Sequence, residues 1–142
     1  MIFKLNSMTR FWISLEKSFA LVMFALEHMQ GGEIFIPKIH SMKVTDLFDA
    51  LTPGTEKEIV GIRPGEKLHE MLLTEDESRH AVELENHYVI LSEFFGLEKD
   101  THKKYHKIGK KTKHGFSFAS HTNDKWLTKK ELLKIIEESK LI

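Results

Sequence analysis

Residues 58–73 read EIVGIRPGEKLHEMLL, in which a strand pattern, a turn and a helix pattern follow one another directly. The apolar residues of the segment 58–62 predict a short buried strand. The sequence Arg63-Pro64-Gly65 ends that strand, because proline removes a backbone donor and glycine favours turns. From Glu66 to residue 73 the apolar spacing is helical. A strand followed at once by a helix is typical of α/β proteins.

The same alternation extends along the chain in both directions. We predict strands over residues 8–14, 33–36 and 88–91, and helices over residues 15–29, 44–51 and 128–139. The first helix carries an apolar stripe, which predicts that this face packs against the rest of the protein. The stripe consists of Leu15, Phe19, Val22, Met23, Leu26 and Met29. The order of elements predicts an α/β fold with a parallel or mixed sheet.

The lysine-rich segment, residues 99–114, differs in character from the rest of the chain. It contains seven lysines, three histidines and one acid, which predicts a solvated loop. We therefore divide the chain into an α/β region at 1–95 and, at 96–142, a basic loop with a C-terminal helix docking on that region. Tyr105 leaves a second interpretation open, in which the lysines neutralise RNA phosphates and the ring stacks on a base.

The composition excludes several classes of protein. Among 142 residues, 21 basic side chains balance 21 acidic ones, so net charge favours neither nucleic acid nor a membrane surface as partner. The lack of cysteine removes disulfide scaffolds and thiol nucleophiles, and it is typical of a cytoplasmic protein. The apolar run at 19–26 is far shorter than the roughly 20 residues of a membrane span. The nine histidines show no metal-binding motif, so we predict no metal site.

Arg63 is the leading candidate for ligand binding, because it stands where the predicted strand ends. A guanidinium offers a planar, permanently charged set of donors that suits the oxygens of a diphosphate. The spacing also allows a structural interpretation, in which Arg63 pairs with Glu66 or Glu70 and only stabilises the turn. Arg10 is a second basic candidate. Its apolar neighbours, considered alone, favour a structural salt bridge.

Several motifs together resemble one family of enzymes. They are MTRFWISLE at 8–16, GGEIFIPKI at 31–39, SMKVTDL at 41–47, GIRPGEKLHEMLL at 61–73, ENHYVI at 85–90 and, more weakly, FSFASHTNDKWLTKKELLKII at 116–136. Their order and spacing resemble inverting UDP-N-acetylglucosamine 4,6-dehydratases, which are extended short-chain dehydrogenases/reductases. The resemblance implies an α/β fold equivalent to the C-terminal, substrate-binding part of that family. It also implies an NADP-dependent lyase reaction that inverts C5 of the sugar, in pseudaminic acid or related surface-polysaccharide synthesis.

The resemblance implies roles for individual residues. Arg10 and Arg63 match contacts of the family to the nucleotide diphosphate, and Glu66 matches a position that orients Arg63 or binds a nucleotide hydroxyl. The sequence contains neither a GxGxxG spacing nor a Tyr-x-x-x-Lys pair. We therefore expect the Rossmann nucleotide-binding half and its NADP to be missing from this chain. We expect the chain to supply no catalytic, cofactor-binding or metal-binding residue and to be inactive alone.

The sequence leaves two functions open. In the first, the chain is a C-terminal fragment of a UDP-N-acetylglucosamine 4,6-dehydratase and contributes UDP-sugar binding. Its partners would then be the UDP-sugar, a separate N-terminal Rossmann half and, as in the family, further copies of the enzyme, with no nucleic acid or membrane. In the second, it is a non-catalytic remnant or a protein- or RNA-interaction module that uses the lysine-rich segment.

Overall fold

The computed structural model describes residues 7–56, 58, 61–92 and 98–138. Within them the chain forms two compact units, each built from separate segments. Unit 1 comprises residues 1–14, 39–70 and 119–142, and unit 2 comprises residues 15–38 and 71–118. The expected boundary between residues 95 and 96 lies within 93–97, outside the described residues, so that division stays a prediction.

Helices and strands alternate irregularly along the chain. Their order is β1 (Thr9–Trp12), α1 (Leu15–His28), β2 (Ile34–Pro37), β3 (His40–Lys43), α2 (Val44–Leu51), β4 (Met71–Leu73), α3 (Glu75–Ser78), β5 (Ala81–Glu83), β6 (His87–Ile90), α4 (Glu98–Ile108), β7 (Lys110–Lys111), β8 (Phe118–Ala119) and α5 (Lys129–Glu138). None of the helices in the described ranges has the length and hydropathy needed to cross a bilayer. The mixed content agrees with the predicted α/β class.

Unit 1 is built around the antiparallel pair of β1 and β3, in which Thr9 lies opposite Lys43. Helices α2 and α5 pack against each other beside this pair. Their core is a cluster of Met42, Ala50, Leu127 and Leu132. The C-terminal helix α5 thus packs on α2 within unit 1.

Unit 2 contains a four-stranded sheet in the order β2-β6-β5-β7. Its neighbouring strands all run antiparallel, so the prediction of a parallel or mixed sheet is wrong for this sheet. For β5 and β6 the reason is local, because the three residues 84–86 join them, and a connection this short permits only antiparallel pairing. The core of unit 2 comprises Val82, Val89, Leu91 and Tyr105. A separate two-stranded pair joins β4 to β8.

The helix predicted from Glu66 does not form. Residues 66–70 are irregular and lead directly into β4. Their backbone groups bond to distant segments instead: Thr9 N–H donates to the Leu68 carbonyl at 3.1 Å, and Ser120 N–H donates to the Glu70 carbonyl at 2.8 Å. A helix over 66–73 would need the Leu68 carbonyl for its own ladder. In the strand predicted over 58–62, residues 59 and 60 lie outside the described residues, and residues 61 and 62 are not in a strand.

Helix α1 forms as predicted, but the predicted burial of its apolar stripe is wrong. No residue of α1 is buried, and Leu15 and Phe19 are 87% and 66% exposed. The helix contacts the rest of unit 2 through its opposite side. There the Phe24 ring stacks on His87 with centroids 4.3 Å apart and meets Phe35 edge-on at 5.8 Å. α1 thus has apolar residues on two sides. The periodicity of the sequence does not tell which of these sides packs against other residues of this chain.

Candidate functional site

Residues 63–66 form a tight turn that holds the leading candidate. Glu66 N–H donates to the Arg63 carbonyl at 3.0 Å, which closes the turn. Proline occupies its second position and Gly65, with φ of +83°, its third. This is the residue pattern of a type II turn, whose third position needs positive φ and therefore favours glycine. The Glu66 carboxylate adds a second tie, because its Oε2 accepts the Arg63 N–H at 3.1 Å.

The Arg63 side chain projects from this turn into solvent. Of the two structural partners considered from the sequence, Glu66 binds the Arg63 backbone and Glu70 pairs with Arg10. Among the described residues, the Arg63 guanidinium therefore has no carboxylate partner. Its donors are available to an anionic ligand.

Arg10 is held in place by structural contacts. Its Nε lies 3.4 Å from Glu70 Oε1, and its Nη1 donates to the carbonyls of Thr9 at 2.8 Å and Leu68 at 3.2 Å. These bonds tie β1 to the segment that follows the turn of Arg63. Within the described part of the chain only Nη2 is left without a partner. The salt-bridge interpretation of Arg10 thus agrees with the geometry, and a ligand contact is restricted to Nη2.

A buried hydroxyl cluster, which no sequence motif indicated, supports the same region. Thr9 Oγ1 lies 2.8 Å from His69 Nδ1 and 2.6 Å from Ser120 Oγ. The Glu70 N–H donates to Ser120 Oγ at 2.9 Å. His69 also stacks on His121, with ring centroids 4.2 Å apart. The cluster fixes the segment that carries Leu68 and Glu70, and so it positions Arg10.

The His69 imidazole of this cluster favours its neutral form. Burial is the main factor that lowers the pKa of His69, and the positive charges of His121 and Arg10 lower it further. A neutral ring has one donor nitrogen and one acceptor nitrogen, which suits a bond to a hydroxyl. His69 therefore acts as a packing residue in unit 1.

The SHTNDKWL motif also has a structural role. The Asn123 amide donates to the Ile39 carbonyl at 2.8 Å and to Ser41 Oγ at 3.0 Å, and Lys125 N–H donates to Asn123 Oδ1 at 3.2 Å. The Trp126 indole donates to the Asn123 carbonyl at 2.8 Å. These bonds join the segment before α5 to β3.

The described residues do not fit a dinucleotide cofactor. Such a cofactor needs free backbone amides of a glycine turn at a helix N-terminus. The adjacent glycines, Gly31 and Gly32, instead follow the C-terminal end of α1. The Glu33 carboxylate already accepts the N–H groups of Gln30 at 2.9 Å and Gly31 at 2.7 Å.

The prediction that the lysine-rich segment is a solvated loop is wrong, because its first part is helix α4. Tyr105 is fully buried in the core of unit 2, where its hydroxyl donates to the His28 carbonyl at 3.0 Å. The Lys104 ammonium donates to the same carbonyl at 2.8 Å. Both donors satisfy a backbone acceptor at the end of α1 that the helix itself leaves free. The Tyr105 ring is thus not available to stack on RNA. The His102 side chain lies outside the described residues.

The burial of Tyr105 leads to a prediction about stability at high pH. Desolvation, followed by the Glu33 carboxylate, raises the pKa of Tyr105 from 10.0 to about 12. The stabilisation of the neutral phenol is therefore complete below about pH 10 and is lost as the pH rises through about 12. We expect the free energy of unfolding to fall across this window by less in Tyr105→Phe than in the wild type. Denaturant unfolding at several pH values checks this, and equal falls in both proteins would contradict it.

Comparison with known sequences assigns the chain to a family. Residues 5–92, more than half of the chain, match the family described as polysaccharide biosynthesis protein. The chain belongs to this polysaccharide biosynthesis protein family. The match includes β1, the turn of Arg63 and the sheet of unit 2 up to β6.

Individual members of the polysaccharide biosynthesis protein family and related proteins extend the comparison. The chain is 47% identical to UDP-N-acetylglucosamine 4,6-dehydratase (inverting) of Campylobacter jejuni serotype O:2 over 93% of its length and 40% of that protein. It is 39% identical to UDP-glucose 4-epimerase of Rickettsia felis over 59% of its length and 26% of that protein. An X-ray structure of Pen from Bacillus thuringiensis superposes with a TM-score of 0.76 at 30% identity, over 96% of this chain and 40% of that one.

These matches confirm the resemblance inferred from the motifs and the α/β fold expected from it. The chain corresponds to the C-terminal part of an extended short-chain dehydrogenase/reductase. It spans 40% of the length of the Campylobacter relative.

Proposed function

We propose that this chain is a C-terminal fragment of a 5-inverting UDP-N-acetylglucosamine 4,6-dehydratase and contributes UDP-sugar binding. The observation that carries the proposal is the 47% identity to the Campylobacter dehydratase over 93% of this chain. The proposed setting is surface-polysaccharide synthesis, with pseudaminic acid as the product class, in the cytoplasm. No described residue is assigned to the reaction itself.

The shared ligand is proposed from the names of two relatives. A 4,6-dehydratase and a 4-epimerase carry out different reactions, yet both match this chain. Their names have a UDP-linked sugar in common. A region that persists while the reaction changes is suited to binding the common part of the substrate, which is the UDP group.

The geometry of unit 1 supports a specific assignment of roles. Arg63 donates to the diphosphate, because its guanidinium is exposed and has no carboxylate partner among the described residues. Glu66 positions Arg63 by holding its backbone N–H. Arg10 offers its remaining Nη2 donors to the same anion. Charge-assisted bonds of this kind are roughly twice as strong as neutral ones.

The role of this chain in the complete enzyme is therefore to bind and orient the substrate. In this proposal NADP supplies hydride transfer and is bound by the N-terminal half of the enzyme. The residues described here hold the nucleotide end of the sugar nucleotide.

Isothermal titration calorimetry tests the proposal directly. UDP-N-acetylglucosamine is titrated into the full chain, both alone and co-purified with the N-terminal segment of the Campylobacter relative. Uridine, which lacks the diphosphate, is the matched control ligand. We expect binding of the sugar nucleotide and at least about tenfold weaker binding of uridine. Absence of binding in both arrangements, or equal affinity for uridine, would reject the proposed function.

A further inference from the structure

The histidine pair of unit 1, His69 and His121, lies next to Arg10. The two rings stack with centroids 4.2 Å apart. Thr9 Oγ1 lies 2.8 Å from His69 Nδ1, so β1 fixes the orientation of that ring. His69 is half-buried and His121 is exposed, so the pair opens to solvent on the His121 side. Among the described residues, His69 Nε2 and both ring nitrogens of His121 have no hydrogen-bond partner.

The charged groups that face the pair are mainly basic. The Arg10 guanidinium faces His69 from β1, and His121 itself faces it from the segment after β8. The segment of His69 contributes the Glu70 carboxylate, which pairs with Arg10 Nε at 3.4 Å. No carboxylate of the described residues pairs with either imidazole. A proton on the pair therefore adds a positive charge beside Arg10 that has no internal counter-charge.

The free chain disfavours a proton on this pair. Burial lowers the pKa of His69, and the positive charges of His121 and Arg10 lower it further. Because the Arg10 charge already affects the ring, an anion bound at the Arg10 Nη2 donors acts on the ring in the opposite direction. Imidazoles change their charge between about pH 5 and pH 8, so such an anion alters the protonation of the pair near neutral pH.

We propose that the His69–His121 pair is a further part of the diphosphate site and takes up a proton when the diphosphate binds. The proton turns an acceptor nitrogen of the pair into a donor and adds a positive charge beside the ligand. Linkage is reciprocal, so the affinity for the sugar nucleotide increases as the pH falls from about 8 to about 6. Proton uptake requires that Arg10 and Arg63 bind the diphosphate, so this inference rests on the proposed function.

Titration calorimetry at two pH values tests the pair. UDP-N-acetylglucosamine is titrated at about pH 6 and about pH 8 into the full chain, both alone and co-purified with the N-terminal segment of the Campylobacter relative. The diphosphate of this ligand is esterified at both ends and keeps its charge in that range, so a pH effect belongs to the protein. At neutral pH the titration is repeated in PIPES and in Tris, because the difference between the binding heats in these buffers gives the number of protons taken up.

His121→Gln removes the ionisable ring on the exposed side of the pair. His114→Gln is the matched control, because His114 is also exposed but lies in unit 2, and we assign it no ligand contact. Circular dichroism and thermal unfolding establish that both variants keep the wild-type fold, as expected for exposed positions.

We expect the wild type to bind about three- to tenfold more tightly at the lower pH, which corresponds to a pKa shift of up to about one unit, with net proton uptake. His114→Gln should keep this profile, and the affinity of His121→Gln should differ by less than about twofold between the two pH values. Binding without proton uptake, or the same pH profile in His121→Gln, would overturn this inference and leave the proposed function intact. No binding at either pH in both arrangements would reject the two together.

Discussion

Replacing Arg63 with alanine will weaken UDP binding by about 10- to 150-fold, which corresponds to about 1.5–3 kcal/mol for a lost charge-assisted bond. The guanidinium is free of carboxylate partners among the described residues, so its loss removes a ligand contact and leaves no internal charge unpaired. The turn keeps its backbone bonds in the variant, because they use main-chain atoms and the Glu66 carboxylate. Protein stability should therefore change little.

Arg79→Ala is the matched control for this measurement. Arg79 is also exposed, at 62%, but it pairs with Asp76 in unit 2, and we assign it no ligand contact. Titration calorimetry should give the same UDP affinity for Arg79→Ala as for the wild type. If both alanine variants lose affinity equally, general surface charge accounts for binding. If neither loses it, Arg63 does not bind the diphosphate.

Leu132→Ala will lower the free energy of unfolding by about 2–5 kcal/mol, the range for truncating a buried leucine. Leu132 is fully buried in the cluster that joins α5 to the rest of unit 1. Its truncation removes apolar contacts with that cluster and leaves a cavity. Denaturant unfolding followed by circular dichroism measures the effect.

The neighbouring Leu133→Ala provides the comparison, since Leu133 is 40% exposed on the same helix. Both substitutions change helix propensity equally and differ in the burial of the side chain. We expect Leu133→Ala to cost less than half as much as Leu132→Ala. Equal losses would show that α5 is not anchored through Leu132.

Periodicity and turn residues predicted α1, α2 and α5 well, because the start, the end and the apolar spacing of each helix are local properties of the sequence. They failed for residues 66–70, where distant partners bind the backbone. They also failed for α4, whose helix is anchored by the burial of Tyr105 despite its many lysines. Tertiary contacts overrode local preference in both cases.

The candidate site was predicted in part. The local pattern Arg-Pro-Gly-Glu predicted the turn at residues 63–66 and singled out Arg63, whereas the two roles considered for Glu66, orienting Arg63 or binding a nucleotide hydroxyl, came from the family resemblance. The cluster around Thr9 was missed because His69 and Ser120 lie 60 and 111 residues away from it in sequence. No periodic signal connects such distant positions. The exposure of the α1 stripe was also unpredictable, since the pattern shows which side is apolar and not whether a partner covers it.

The most direct test of substrate binding is a crystal structure of this chain with UDP, obtained with the N-terminal segment if the complex requires it. We predict that the Arg63 guanidinium lies within about 3 Å of the diphosphate oxygens, the distance of a charge-assisted hydrogen bond. A diphosphate bound elsewhere, with Arg63 still in solvent, would contradict the account.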